Sequence, residues 1–383
     1  MNIEEIMSMI NDEKISKLGE MCNVDKINTK ITGKFILKSF VYGALQGMPM
    51  SLRSIESMIK GNKDIADTLK SKDAHKKTVD HSSLGKRLSV ANVNYFRMIY
   101  EDVAATYHGQ CSSQKGFHIF DSTVISISSK LLKNDLDLGG LGDNTSFIKI
   151  TFSLKNSIPS SVRFCPNQSE TSEDRSLPAA INEAKIAKED IILFDRGVKK
   201  AETYVDLDQK EHFFITRVNV GRKYKMLSAN TIINDQDNDL TVSSDENVHL
   251  FNSKGLEVKH AVRLIKAVKQ NGDELWFLTN VKDLSSYDVA QAYKNRWSIE
   301  VLFKFLKQHL QFKTFISYNT NGMQIYLYCL LIAAILFTRY KSAHNLIGYK
   351  IPLLEFKFAL HKSIVKDIVL FCGGDPHLVD LRL

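Results

Sequence analysis

The sequence predicts an α/β fold framed by helices at both ends, and three observations carry that expectation. Apolar residues recur at three- and four-residue spacing up to about position 110, change to a two-residue period from about 115, and return to helical spacing after about 283. Within the two-residue regime one helix-like segment separates two strands, which is the pattern of a parallel crossover. Between about 210 and 282 strands follow one another without helices, as in an all-β insertion. At 383 residues, 44% hydrophobic and 25% charged, the chain can bury a substantial core and make two or three domains.

Each element has its own signal. FILKSFVYGALQGM and LRSIESMIKG read as amphipathic helices. DHSSLGKRLSVANVNYFRMIYEDV opens on a Ser/Asp cap signal and sets Lys86 and Arg87 on its first turns, so they are the N-terminal DNA-binding candidates. A helix-turn-helix-like DNA reader and a plain helical bundle with exposed cations both fit that segment. GFHIFDSTVISISS reads as a strand, and FIKITFSLKNSIPSSVRFC as two strands turning around Asn156 to Ser160. SEDRSLPAAINEAKIAKED reads as a helix and IILFDRG as a short buried strand ending in a turn. HFFITRVNV, LTVSSD, NVHLFN, HAVRLIKAV and ELWFLTNV supply the strands of the insertion. Ser285, with Asp288 three residues on, caps the next helix. The apolar run Ile325 to Phe337 is shorter than the roughly 20 residues of a membrane span and reads as a buried core helix. The tail IPLLEFKFALHKSIVKDIVLF has helical spacing and an apolar remainder, either core or a partner surface.

Composition narrows the chemistry. Lys and Arg number 51 against 43 Asp and Glu, a net charge of +8 that favours a polyanionic partner. The five cysteines form no C-x-x-C pair, against a zinc site or a disulfide framework and in keeping with a reducing, cytoplasmic setting. MNIEEIMSMINDEK lacks the basic region and apolar run of a signal peptide. The histidines show no H-E-x-x-H, and neither G-x-S-x-G nor a phosphate-binding glycine loop occurs.

Residues of the segment YKNRWSIEVLFKFLK converge on one stripe. On a helical wheel with Tyr293 at zero, Arg296, Glu300, Lys304 and Lys307 fall at about 300°, 340°, 20° and 320°, while Ile299, Val301, Leu302, Phe303, Phe305, Leu306 and Leu310 cover much of the rest. Taken alone, the stripe fits either a surface laced with Arg296–Glu300 and Glu300–Lys304 pairs or a buried face turned to an anion. Two aspartates weigh on that choice. Asp121 interrupts the apolar strand FHIF-D-STVISI, and Asp195 sits at the carboxyl end of IILF-D-RG, where an open α/β sheet presents its ligands. With Glu300 they make three carboxylates that would repel one another without compensating divalent cations, and an all-oxygen set favours magnesium or manganese over zinc.

Tyr293, Arg296, Glu300 and Lys307 are spaced as in the Y-R-E-K signature, and in this the chain resembles bacterial insertion-sequence DDE transposases of the insertion-sequence-four type. The likeness extends to Trp297-x-Ile299-Glu300, Asp121-Ser122-Thr123 and Asp195-Arg196-Gly197, and covers the chain from about 115 to 340. Val198 departs from it, since many relatives have an aromatic after the glycine. The resemblance implies a ribonuclease-H-like catalytic core with a β-rich insertion between the second and third acids. The implied boundaries are a helical N-terminal DNA-binding domain over 1–112, a core over 113–208 and 283–345, an insertion over 209–282 and a helical tail over 346–383.

It also implies a metal-dependent transposase that cuts and joins the ends of an insertion sequence. Asp121, Asp195 and Glu300 would hold two Mg2+ or Mn2+ ions for in-line displacement at phosphorus. Tyr293, Arg296 and Lys307 would bind DNA phosphates, and the wheel adds Lys304. Of the two tryptophans, Trp276 would stack a flipped base if the family's hairpin step occurs, or else be core, and Trp297 at the stripe's edge is the other stacking candidate. The partners implied are double-stranded DNA, at the terminal inverted repeats and the target, and a second copy of the chain once DNA is bound. A catalytically silent transposase-derived DNA-binding protein and a general ribonuclease-H-like nuclease are the alternative readings.

Overall fold

The computed structural model describes residues 3–26, 31–47, 50–61, 79–109, 116–128, 145–155, 157–165, 168–232, 240–310, 312, 317 and 319–379. Along the chain come helices α1 (Ile3–Met7), α2 (Asp12–Met21), α3 (Gly33–Gln46), α4 (Leu52–Gly61), α5 (His81–Val90) and α6 (Val93–Gly109). Strands β1 (Phe117–Ser128), β2 (Thr145–Lys155) and β3 (Ile158–Cys165) follow, then α7 (Glu173–Glu183), β4 (Ile191–Phe194) and α8 (Ala201–Gln209). Five strands come next: β5 (Phe213–Val218), β6 (Tyr224–Ala229), β7 (Leu240–Phe251), β8 (Glu257–Lys269) and β9 (Glu274–Thr279). The chain ends in α9 (Ser286–Lys294), α10 (Trp297–His309), α11 (Thr320–Ala343) and α12 (Lys350–Phe371). The described residues fall into two compact units, one holding those up to 109 and from 304 onward, the other those from 116 to 303.

The first unit is helical and is built on α11. Every residue from Ile325 to Phe337 is buried, which explains the unbroken apolar run. Phe40 of α3 meets Tyr326 edge-on at 6.2 Å, Tyr100 of α6 lies 5.6 Å from Tyr328, and Phe305 stacks on Phe337 at 4.9 Å. Among the described residues α11 is the one helix long and apolar enough to cross a membrane, and 83% of its most apolar window is buried inside the protein, as in a core helix. The Asp80 side chain accepts from the Ser83 amide at 2.8 Å, so the cap signal before α5 works as expected.

The second unit is a mixed α/β layer on one nine-stranded sheet, in the order β3-β2-β1-β4-β5-β9-β8-β7-β6. β4 runs parallel to β1 and to β5, and the other neighbours are antiparallel. The helix between β3 and β4 is α7, and β4 lands beside β1, the crossover the sequence predicts. β5 pairs with β4 on one side and β9 on the other, so the strand-rich region continues the central sheet without interruption.

The structure departs from the expected elements in four places. LTVSSD and NVHLFN form one strand, β7, whose register shifts between Val242 and Ser244. β6 escapes the sequence reading because five of its six residues are exposed on an edge and show no alternation. α8 escapes it because a nine-residue helix spans too few turns to establish a period. The segment read as one helix through Tyr293 and Glu300 is two, broken at Asn295–Arg296. The joint is closed by three-residue hydrogen bonds, Asn295 N to Ala292 O at 3.1 Å, Arg296 N to Tyr293 O at 3.0 Å and Ser298 N to Asn295 O at 3.1 Å. Of the turn expected between β2 and β3, Asn156 lies outside the described residues, and Ser157 takes a left-handed φ of 63°.

Candidate active site

The sheet register brings the two aspartates together. Ile119 of β1 lies opposite Leu193 of β4, and two residues further along these parallel strands stand Asp121 and Asp195. Phe194 lies opposite Thr216 of β5, and the next residues on that pair are Asp195 and Arg217. Three charged residues therefore stand side by side on adjacent parallel strands, Asp195 just past the carboxyl end of β4, Arg217 next to the end of β5 and Asp121 within β1 where that strand runs on beyond β4, the edge at which open α/β sheets present ligands.

Two helices close over that edge. α9 starts at the Ser285 cap, whose hydroxyl accepts from the Asp288 amide at 3.0 Å, and is fastened where Tyr293 packs on Phe277 of β9 at 5.4 Å. In α10 the buried Phe303 meets Phe152 of β2 edge-on at 5.3 Å, which fastens the helix to the sheet one turn after Glu300. Between them sits Arg296, only 9% exposed. Its Nη1 donates to Asp121 Oδ2 at 3.4 Å, its Nη2 donates to Glu300 Oε1, and its guanidinium carbon lies 5.7 Å from the centre of the Tyr293 ring. The Tyr293 hydroxyl donates to Asp195 Oδ1 at 3.2 Å. Asp121, Asp195 and Glu300 are thus linked through one guanidinium and one phenol.

The electrostatics follow from this crowding. Burial pushes the Asp121 carboxyl up to about 6, the Glu173 and Asp195 carboxylates push the same way, and the Ser122 amide and Arg296 oppose. Burial also raises the Tyr293 phenol, with Asp195 adding to it. For Arg296 burial works against the charge, but Tyr293, Glu300 and Asp195 outweigh it and the guanidinium is held above its ordinary value. Among the described residues no three His, Cys, Asp or Glu side chains stand close enough to hold one ion, and Arg296 occupies the space between Asp121 and Glu300.

The other candidates are placed as follows. Trp297 opens α10 and is 64% exposed, whereas Trp276 packs on the sheet's core with Tyr224 edge-on at 6.0 Å and the Lys266 ammonium 5.0 Å from its ring centre. Lys304, exposed, and Lys307, half-buried, belong to the helical unit. Lys86 is exposed, but Arg87 is turned inward, with Nε donating to Ile31 O at 2.9 Å and Nη2 donating to Val24 O at 2.5 Å and to Asp25 Oδ1 at 3.0 Å.

Two residues of this site were not singled out in the sequence. Glu173, the first residue of α7, pairs with the buried Lys149 at 2.5 Å and accepts from Ser122 Oγ at 3.5 Å. It also lies over Gly197, where an added Cβ would come within 2.5 Å of its Cγ, so the glycine two residues after Asp195 is required by a close approach. Arg217 acts electrostatically on Tyr293, and its Nε, like that of Arg296, is buried without a hydrogen-bond partner. An arginine inside the apolar strand FFITRV was the available signal.

The family model for the transposase DDE domain matches residues 113–336, well over half the chain and the whole of the segment that carries these side chains. The chain belongs to the DDE-domain transposase family. Domains of this family depend on divalent metal ions. A protein of Sinorhizobium fredii named as a transposase, y4zB, is 27% identical over 184 residues, 46% of this chain and 51% of that relative. A protein of Synechocystis named as a transposase for the insertion sequence element IS4SA is 25% identical over 261 residues, 67% of this chain and 70% of that protein. The chain thus spans about half the length of the first relative. A piggyBac transposase, seen in a synaptic complex with hairpin DNA, aligns with a TM-score of 0.48 at 11% identity, over 96% of this chain and 82% of that one.

Proposed function

We propose that this transposase cuts and joins the ends of an insertion sequence, with Asp121, Asp195 and Glu300 holding two divalent ions, Mg2+ or Mn2+. The observation that carries the reading is the linkage of three acids from β1, the end of β4 and α10 through Arg296 and Tyr293. The donor set fits such ions. All three are hard oxygen ligands, and burial, reinforced by the Glu173 and Asp195 carboxylates, leaves Asp121 reluctant to ionise. The strand order β3-β2-β1-β4-β5, antiparallel and then parallel, supports a ribonuclease-H-like core.

When bound, the ions supply activation of an attacking hydroxyl and stabilisation of the leaving oxygen in an in-line displacement. The chain's own groups do the rest. Arg296 and Arg217 each keep a buried Nε–H without a partner, donors suited to the oxygens of a DNA phosphate. Tyr293, whose phenol is held protonated, keeps a hydroxyl donor beside Asp195. Trp297, exposed next to Arg296, is better placed to stack an unpaired base than Trp276, whose ring Lys266 covers. Lys304 and Lys307, which belong to the helical unit, are further candidates for binding DNA phosphates. Lys86 reaches DNA from the helical N-terminal domain, while Arg87 serves that domain's own packing. Two copies of the chain act together on double-stranded DNA in the bacterial cytoplasm, at the terminal repeats and the target.

The test is cleavage of DNA carrying the element's ends, with Mg2+ or Mn2+ present. Asp121→Ala, Asp195→Ala and Glu300→Ala should each abolish cutting and strand transfer, and full activity in all three would remove the assignment. Cutting without any joining would mark a nuclease in place of a transposase.

A further inference from the structure

Arg296 contacts two carboxylates that the proposed reading gives to metal ions, Asp121 through Nη1 and Glu300 through Nη2. It is buried, yet the contact to Asp121 is long at 3.4 Å and Nε has no partner. Such a guanidinium compensates charge without saturating its own hydrogen bonds. Arg296 is shared between Asp121 and Glu300, while the Asp195 and Glu173 carboxylates also act on Asp121 and Glu173 is itself paired with Lys149. A magnesium ion brings twice the charge and takes oxygens at about 2.0–2.1 Å, closer than any nitrogen donor approaches them.

We propose that Arg296 is an exchangeable counter-ion. It holds Asp121 and Glu300 in the metal-free protein and releases both carboxylates when divalent ions bind, whereupon its guanidinium turns to a DNA phosphate. This rests on the reading of the acids as metal ligands. The exchange couples two binding events. A phosphate that draws the guanidinium away removes the competitor for the carboxylates, so DNA and metal each favour the other by the same factor. Until a divalent ion arrives, the carboxylates stay paired with Arg296, and the site is kept from facing water as an uncompensated cluster.

The experiment is titration of the full chain with Mn2+ alone, following the free ion by electron paramagnetic resonance. Arg296→Gln should bind Mn2+ about ten-fold more tightly than the parent, a factor equivalent to about 1.4 kcal/mol of competition. Arg296→Lys keeps the charge but loses the two-pronged contact, and it too should gain affinity, though less. Arg217→Gln removes a cation that acts on Tyr293, and its gain should be much smaller. Adding Glu300→Gln to Arg296→Gln should cancel the gain. Unchanged affinity in Arg296→Gln, or an equal gain in Arg217→Gln, overturns the exchange. Mn2+ binding that survives both Asp121→Asn and Glu300→Gln defeats instead the metal-site reading on which the exchange rests.

Discussion

Replacing Asp121 with asparagine is expected to stabilise the metal-free protein while abolishing its chemistry. The carboxyl sits behind burial and near two other carboxylates, which together lift it from 3.8 to about 6. The pull of Arg296 is already contained in that net rise. A shift of this size corresponds to about 3 kcal/mol by which ionisation of Asp121 disfavours the native state. The sign follows from proton uptake. Between pH 4 and 6 the folded protein holds the Asp121 proton more tightly than the unfolded chain, so stability falls as pH rises through that window. Below it the group is neutral in both states, and above it the penalty is complete. Asparagine keeps an acceptor for the Ser122 amide, which lies 2.7 Å from Asp121 Oδ1, and carries no charge to desolvate. Asp121→Asn should therefore melt about 4 °C above the parent at pH 8 in a chelating buffer, and near it at pH 4. Calorimetry or urea unfolding at both pH values measures this. A variant less stable than the parent at pH 8, or a gain that does not depend on pH, would refute the account of Asp121.

Other substitutions test neighbouring parts. Asp245, whose side chain is fully buried, accepts from Arg263, Asn230 and Ser286 and so ties β7 and β8 to the start of α9; Arg263→Met should cost about 3–5 kcal/mol in urea unfolding by leaving that carboxylate unpaired. Gly197→Ala should cost about 1–3 kcal/mol and disturb the Lys149–Glu173 pair, because the new methyl meets Glu173; wild-type stability would dismiss the close approach. Trp297→Ala should leave the melting temperature within a degree or two and lower strand transfer, whereas Trp276→Ala should destabilise the fold by about 3 kcal/mol.

Much of the catalytic layer is legible in the sequence because the relevant signals are local. β1 and β4 announce themselves as apolar strands each interrupted or ended by one aspartate, and α7 by its helical spacing between strands. α11 is visible as a continuous apolar run because all its faces are covered. What stays hidden depends on contacts made across long separations. Nothing within HSSLGKRLSV tells that Arg87 turns inward, since its acceptors lie in the stretch from Val24 to Ile31. Glu173 reads as an ordinary acidic residue in a first helical turn until the fold sets it over Gly197 and beside Ser122. The break at Asn295–Arg296 is hidden for another reason. An even-handed helical wheel puts Tyr293, Arg296 and Glu300 on one side whether or not the helix is continuous, so periodicity cannot register a tightened turn.

The ladder that joins β4, β5 and β9 limits how such enzymes can be recombined. Ile215 opposite Thr279 and Val218 opposite Trp276 fix where the long antiparallel extension meets the strands that bear Asp195 and Arg217. An exchange of that extension between relatives would succeed only where the incoming β9 keeps this pairing, because a slip of one residue sends every side chain to the opposite face. Tyr293 rests on Phe277, so a slipped graft would withdraw the floor beneath the phenol that contacts Asp195.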